Sequence, residues 1–368
     1  AYQALRPDCS APAPQPSPHA PNANMATTGA LQGILVGMGN PLLDISAEVP
    51  TEILEKYGVT LNNAILAEEQ HLPVYKDLTD NFSVQFIAGG ATQNSIRVAQ
   101  WMLKTPGASA YMGAVGSDDY ATQLEQCASQ DGVRVHYQKS PDTPTGTCAV
   151  LVNGGERSLI ANLAAANTFA EAHLDTPVAQ DIVENGQFFY IAGFFLTVSV
   201  ESILRVGKHC VDNGKVMLMN LSAPFLVQFF AEQMAAAMPY TDFVFGNESE
   251  AAAYGEAKGY GTDLKTIAQR LASQPKASGL RPRVVVFTQG SEQTIVACNG
   301  AVTEHAVDTL APELLVDTNG AGDAFVGGFL SQLVQGKELA ECVRAGHWAA
   351  RQIIQRSGCT FPAECDFA

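Results

Sequence analysis

Positive charge is scarce in this chain of 368 residues: 21 Lys and Arg stand against 37 Asp and Glu, a formal net charge of −16. Binding to nucleic acid rests on clustered Lys and Arg. A general phosphate-backbone binder is therefore excluded, and any anionic ligand must be held locally. Charge of either sign is thin, at 16% against roughly 25% in an average globular protein. Together with 46% apolar residues, this points to a large buried interior. The eight cysteines, at positions 9, 127, 148, 210, 298, 342, 359 and 365, form no CxxC pair. That argues against a zinc site or a compact disulfide framework and for reduced thiols in the cytoplasm, with the nucleus open as a second compartment. The longest apolar run, FFYIAGFFLTV at 188–198, is shorter than the ~20 residues of a membrane-spanning helix, so a protein free of the membrane is expected. No repeat of roughly 20 to 50 residues is evident, which speaks against a solenoid or propeller. The P-loop pattern GxxxxGK[ST] is missing, and GMGNPL at 37–42 only begins like the glycine fingerprint of dinucleotide binders.

What is present is an alternation. Residues 1–24 are rich in Pro and Ala without a hydrophobic period, so a disordered tail is expected over residues 1–30. Met25 reads as a natural start, preceded by leader sequence that has too little Arg for a transit peptide. Beyond it, ILVGMG (34–39), FFYIAG (188–193), VMLMNLS (216–222), FVFGN (243–247) and VVVFTQG (284–290) are short continuous apolar runs. Such runs suit a parallel sheet covered on both faces. Between them, SVESILRVGKHCVDNG and TDLKTIAQRLASQ space apolar residues three and four apart and end on polar or Gly stops. This βαβ repertoire predicts an α/β fold, a doubly wound and mainly parallel sheet with helices on both faces. Two stretches, 45–67 and 145–167, alternate more finely, and the second carries an NGGE turn signal. They predict a small β-rich lid. The expected division is a large α/β domain of 31–41, 67–138 and 168–368, and a lid of 42–66 and 139–167.

In an open α/β sheet, ligands bind beyond the carboxyl ends of the strands. GMGNPLLD, NLSAPF, FGNESE and FTQG are such ends. DTNGAGDAFVGGFL (317–330) places Gly320, Ala321 and Gly322 before a helix. Backbone N–H groups at a helix start, aided by the macrodipole, form an anion hole. Asp323 in the first turn is either a dipole-complementing acid or the carboxylate that takes a hydroxyl proton during phosphoryl transfer. Asn247 and Glu250 are either a helix cap or organisers of water around Mg²⁺ and phosphate. Arg157, just past the NGGE turn, is either a surface charge or a cation on a flap that closes over phosphate.

Taken with DTNGAGDAFVGGF, the segments GMGNPLLDIS, AGGATQNSIRVAQW, RSLIANLAAAN, IAGFFLTVS, NLSAPF, FGNESEA, FTQG and GCTFP resemble the ribokinase-like (PfkB) carbohydrate kinase family over roughly residues 34–367. The C-terminal signature alone identifies the wide family; GNPLLDIS and RSLIANLAAAN select its adenosine-phosphorylating branch. The resemblance implies ATP-dependent phosphorylation of the adenosine 5′-hydroxyl, giving AMP and ADP, with Mg²⁺ entering beside ATP. It implies Asp323 as catalytic base and Gly320, Ala321 and Gly322 as the anion hole. Asn40 and Asp44 would hold the ribose hydroxyls, extended by Gly89, Gly90 and Asn94. Leu42, Leu66, Leu159, Leu163, Phe195 and Phe225 would line the adenine pocket, with Phe194 as the alternative to Phe195. Arg157 would cover the phosphates, Asn247 and Glu250 would serve Mg²⁺ through water, and Thr288, Gly290 and Asn319 would border ATP, as would Asn247. His347 falls in the region flanking the ATP base, where a packed histidine is the alternative. One departure is Ala64, where some relatives carry a polar side chain; it bears on fine base selectivity. Size and resemblance together imply a monomer with adenosine and ATP as its partners, and neither nucleic acid nor membrane.

Overall fold

The computed structural model describes residues 31–61, 63–154 and 156–368; the tail expected over residues 1–30 lies outside them. The strands in the first half are β1 (Leu35–Met38), β2 (Leu42–Glu48), β3 (Ala64–Leu66), β4 (Gln85–Gly89), β5 (Ser109–Val115), β6 (Arg134–Lys139), β7 (Thr147–Asn153) and β8 (Glu156–Asn162). Those in the second half are β9 (Phe188–Ala192), β10 (Val216–Asn220), β11 (Phe243–Asn247), β12 (Val284–Gln289), β13 (Glu292–Cys298) and β14 (Ala301–His305).

All five continuous apolar runs become strands of one nine-stranded sheet, in the order β14, β13, β12, β11, β10, β9, β1, β5, β6. Every pair from β12 to β6 is parallel, and only the edge formed by β13 and β14 is antiparallel. The runs read as continuous because both faces are buried. Met217 and Met219 join one core with Phe189, Ile191, Val285 and Phe287, whereas Leu218 joins another with Tyr190, Phe245 and Val286, as the two-residue period of a strand requires. The amphipathic stretches form the helices Val200–Asp212 and Leu264–Ala272. β5 is equally buried, but its SAYMGAV lacks a branched apolar run and gave no comparable signal.

The second sheet runs β3, β8, β7, β2, β4. β7 and β8 form the expected hairpin, with Asn153 opposite Glu156. β4 pairs antiparallel with β2, so this sheet takes a strand from the stretch assigned to the large domain. The segment 45–67 also holds the helix Thr51–Lys56. One face of the small sheet packs Ile45, Ala47, Ala149, Leu151 and Ile160 with Val74 and Leu78 of the helix Pro73–Asn81. By alternation the other face carries Leu42, Asp44 and Ser46 on β2 and Arg157, Leu159 and Ala161 on β8.

From β1 the large sheet extends one way through β5 and β6 and the other way through β9 to β14. Such a reversal opens a crevice beyond the carboxyl ends of the strands that flank it. The helices Ala91–Leu103 and Ala321–Leu333 lie against each other on this sheet and bring their N-termini to that crevice. Among the described residues no helix is long and apolar enough to cross a membrane, and the cysteines there are all free.

Candidate active site

The two helix starts meet at Asp323. Asn94 Nδ2 donates to Asp323 Oδ2 at 3.0 Å, so one helix holds the carboxylate that begins the other. Burial pushes the Asp323 carboxyl up to about 7, against the pull of the Asn94 hydrogen bond. A carboxylate poised near neutrality is suited to accept a proton at physiological pH. The turn before it depends on Gly320, whose φ of +78° lies in the left-handed region. The Ala321 N–H turns back onto the Thr318 carbonyl at 3.2 Å. Among the described residues, the N–H groups of Gly320, Gly322 and Asp323 find no protein acceptor. The anion hole expected from Gly320 to Gly322 is thus corrected in one respect: the Ala321 amide is committed to the turn, and that of Asp323 stands open instead.

Asn40 follows β1 and is 7% exposed. Its Oδ1 is buried without a hydrogen-bond partner, as is Asn94 Oδ1. An unsatisfied buried acceptor costs about 1–3 kcal/mol, so these two in one crevice are suited to accept from a ligand's donors. Asp44 projects from β2, where Leu42 stands opposite Gly89. Burial, and then the charge of Asp323, push its carboxyl up to about 7, opposed by Arg157 and Arg97. A Cβ added at Gly89 would collide with the Asp44 carboxylate, and one at Gly90 with the Asn40 carbonyl. Gly90 also has a φ of +99°. The glycine pair is therefore the floor on which Asn40 and Asp44 rest. Gly90→Ala is expected to cost about 1–3 kcal/mol from its torsion alone and more from the collision, read as a lowered urea midpoint; an unchanged midpoint would refute this account of the pair.

Leu42, Leu159 and Leu163 pack in one cluster with Cys148 and Val150. Leu66 on β3 is 40% exposed, and Ala64 on the same strand stands opposite Leu159. Phe195 is a correction. It is 1% exposed and packs edge-on against Phe169 in the core. Phe194, its alternative, is half-buried with its ring 6.3 Å from that of Phe225. Both phenylalanines lie in the 3₁₀ turn Gly193–Thr197, where adjacent side chains point about a third of a revolution apart, so an FF pair cannot show from sequence which ring faces the crevice.

β11 and β12 end side by side, with Asn247 opposite Thr288 and Gly290 in the turn that follows. Asn247 and Glu250 form a reciprocal capping box: Asn247 Oδ1 accepts from the Glu250 N–H and Glu250 Oε2 from the Asn247 N–H, each at 2.9 Å. The capping alternative is thus realised. It leaves Glu250 Oε1 and the Asn247 amide nitrogen uncommitted, and burial pushes the Glu250 carboxyl up to about 7. Among the described residues no cluster of three or more acidic, His or Cys side chains could hold a metal directly. His347 is packed: its Nε2 lies 2.8 Å from Thr294 Oγ1 and its ring 5.5 Å from that of Phe325.

Arg157 is not a free cation on a flap. Its Nε lies 2.7 Å from Asp317 Oδ1, an ion-pair contact that falls short of hydrogen-bond geometry. Nη1 donates to Ser46 Oγ at 3.2 Å and Nη2 to Ser357 Oγ at 2.8 Å. The partner, Asp317, is 1% exposed and also accepts from the Asn319 N–H at 2.9 Å and the Gly358 N–H at 2.7 Å. Sequence reasoning passed over Asp317. The available signal was an Asp two residues before Asn319, a spacing at which the side chain caps its own turn.

Residues 52–365 match the model of the pfkB family carbohydrate kinases. The chain is 55% identical over 336 residues to adenosine kinase 1 of Arabidopsis thaliana, covering 91% of this chain and 98% of that protein. Among solved structures it resembles Anopheles gambiae adenosine kinase in complex with P1,P4-di(adenosine-5) tetraphosphate, with a TM-score of 0.88 and 52% identity over 91% of this chain and 99% of that one. It also resembles the Schistosoma mansoni adenosine kinase in complex with 2-fluoroadenosine, with a TM-score of 0.87 and 35% identity over 90% and 98% of the two chains.

Proposed function

The chain belongs to the pfkB family of carbohydrate kinases, and on that premise we propose that it transfers a phosphoryl group from ATP to the 5′-hydroxyl of adenosine, giving AMP and ADP. The observation that carries the reading is Asp323: a carboxylate raised to about 7, held by Asn94, beside a turn that leaves three N–H groups open. Phosphoryl transfer to an alcohol needs those two elements together. The acceptor is read from the opposite wall. Asn40 and Asp44 suit a vicinal diol, since a carboxylate accepts from hydroxyls and an amide can both donate and accept. Leu42, Leu66, Leu159, Leu163, Phe225 and Phe194 offer apolar surface to a flat base, which a bare sugar would not need.

In the reaction, Asp323 takes the proton of the attacking hydroxyl while the amides of Gly320, Gly322 and Asp323 meet the charge that develops on the transferred group. Asn247, Thr288 and Gly290 border ATP along the carboxyl ends of β11 and β12, and Asn319 does so from the turn before the helix Ala321–Leu333. The donors present fit Mg²⁺ held through water, because Asn247 and Glu250 keep one polar atom each outside their capping bonds. Mg²⁺ supplies neutralisation of phosphate charge when bound. The small sheet, closing over nucleoside, excludes water and limits wasteful hydrolysis of ATP.

An assay with ATP and Mg²⁺ across adenosine, other nucleosides, ribose and fructose tests the reading; turnover of ribose in preference to adenosine would overturn it. The pH profile adds a second check. Asp323 must be ionised to act as base, so kcat/KM is expected to fall as pH drops through about 7, by about tenfold per unit if it acts alone. Asp44, raised to a similar value beside it, makes the acid limb steeper, with apparent values that belong to the pair. A profile flat from pH 8 to 5.5 would contradict this.

A further inference from the structure

We propose that Asp317, paired with Arg157, is a positioning residue for phosphoryl transfer: it ties the small sheet to the turn that presents the anion-binding N–H groups, so that the seat of the nucleoside and the geometry of the anion hole are set together. The proposal rests on the kinase reading only for what the turn binds; the coupling itself is a property of the fold.

The carboxylate of Asp317 joins its own turn to two segments remote from it in sequence. Oδ1 accepts from the Asn319 N–H at 2.9 Å, immediately before Gly320. Oδ2 accepts from the Gly358 N–H at 2.7 Å, and the next residue, Cys359, is the nearest neighbour of Gly320, 3.3 Å from where its Cβ would stand. Asp317 thus fastens the anion-binding turn from both sides. Its third partner is Arg157 Nε at 2.7 Å, on the same face of the small sheet as Asp44, Leu42 and Leu159. Through Nη1, Arg157 also holds Ser46 Oγ at 3.2 Å, two residues along β2 from Asp44.

Both charges are nearly out of water, with side-chain exposures of 7% and 0%. A buried ion pair gives little net stability over an apolar substitute, but removing one partner strands the other charge. A buried pair between the small sheet and the turn is therefore better suited to fixing their relative position than to holding them together. The guanidinium is held at three points, by its ion-pair contact with Asp317 and by one hydrogen bond each to Ser46 and Ser357, with one N–H of Nη1 and one of Nη2 left over. In this arrangement Arg157 acts on the transferred phosphate through the position of the turn.

The test uses the full chain with Arg157→Met, Asp317→Asn and the double variant. Asp317→Asn is expected to leave adenosine affinity within about threefold and to lower kcat by about 10- to 100-fold, the cost of a charged hydrogen bond lost at the turn. Amide exchange, followed by mass spectrometry, is expected to speed up in peptides spanning 317–322 and 356–360. Arg157→Met should produce the same kcat loss and the same exchange signature, and the double variant should be no worse than the worse single, since residues acting as one unit are non-additive. Ser357→Ala, which leaves both charges in place, gives a milder version of both effects should either charge variant fail to fold. Exchange needs no turnover, so it reports on the clasp even if adenosine is not the acceptor. The idea is overturned if Arg157→Met raises KM for ATP with exchange unchanged at both peptides, or if the two losses add in the double variant, because Arg157 would then be a phosphate ligand independent of Asp317.

Discussion

Asp323→Asn is expected to bind adenosine as the unaltered protein does and to lose about 10²- to 10⁴-fold in kcat, the usual contribution of a general base. The two side chains have the same shape, and an amide oxygen can still accept from Asn94 Nδ2, which now holds Asp323 Oδ2 at 3.0 Å. The change therefore removes basicity while keeping the packing of the helix start. It should also raise stability, in a direction that follows from linkage. Burial raises the Asp323 carboxyl from an ordinary value of 3.8 to about 7 in the folded state, so folding with the charge in place is unfavourable above pH 7. The asparagine removes that cost. Its gain in melting temperature should be full above pH 7, shrink as pH falls, be small near pH 4, and vanish only below about pH 3, where the carboxyl is protonated in both states. Equilibrium binding, single-turnover rates and melting at pH 8 and pH 4 measure the three parts. A variant with near-normal kcat would remove Asp323 from the chemistry altogether.

Asp44→Ala should act on recognition, where Asp323→Asn acts on rate. A hydrogen bond to a charged group contributes about 1.5–3 kcal/mol, and two such bonds to a ribose diol predict a KM for adenosine raised by about 10²-fold or more, with kcat changed far less. The mechanism makes a sharper statement through modified nucleosides. The unaltered protein should discriminate strongly against 2′- and 3′-deoxyadenosine, because the lost hydroxyl leaves a buried carboxylate unpaired. In Asp44→Ala that discrimination should largely disappear, since the partner is already gone. If the variant still rejects deoxynucleosides as before, Asp44 does not read the diol. Because the Asp44 carboxyl, raised by burial and by the charge of Asp323, contributes its own step to the acid limb, the same variant should also make that limb shallower.

The features legible in the sequence are those whose cause is local. Strands buried on both faces must be apolar at every position, so ILVGMG, VMLMNLS and VVVFTQG announce themselves. Glycines before an amphipathic or apolar helix announce a tight turn at its start, because few other residues take a φ of +78° as Gly320 does. The dual reading of Asn247 and Glu250 was also local, and the structure realises the cap without using up either side chain. What failed was local in appearance only. Phe194 and Phe195 are neighbours with identical chemistry, and only the packing of Phe195 on Phe169 separates the core ring from the half-buried one. Arg157 carries no sign in its own segment that its partner stands at position 317.

By itself, then, the sequence determined the class of fold, the parallel pairing of buried strands, the glycine turn before a helix and the acid beside it, because each follows from periodicity, torsion or the chemistry of a short segment. The tertiary structure alone decided which groups are brought together across the chain: Asn94 on Asp323, Gly89 and Gly90 under Asp44 and Asn40, and Arg157 on Asp317. It also decided how three carboxylates, Asp44, Glu250 and Asp323, come to be raised to about 7. Desolvation depends on everything that surrounds a group, and those surroundings come from segments hundreds of residues apart.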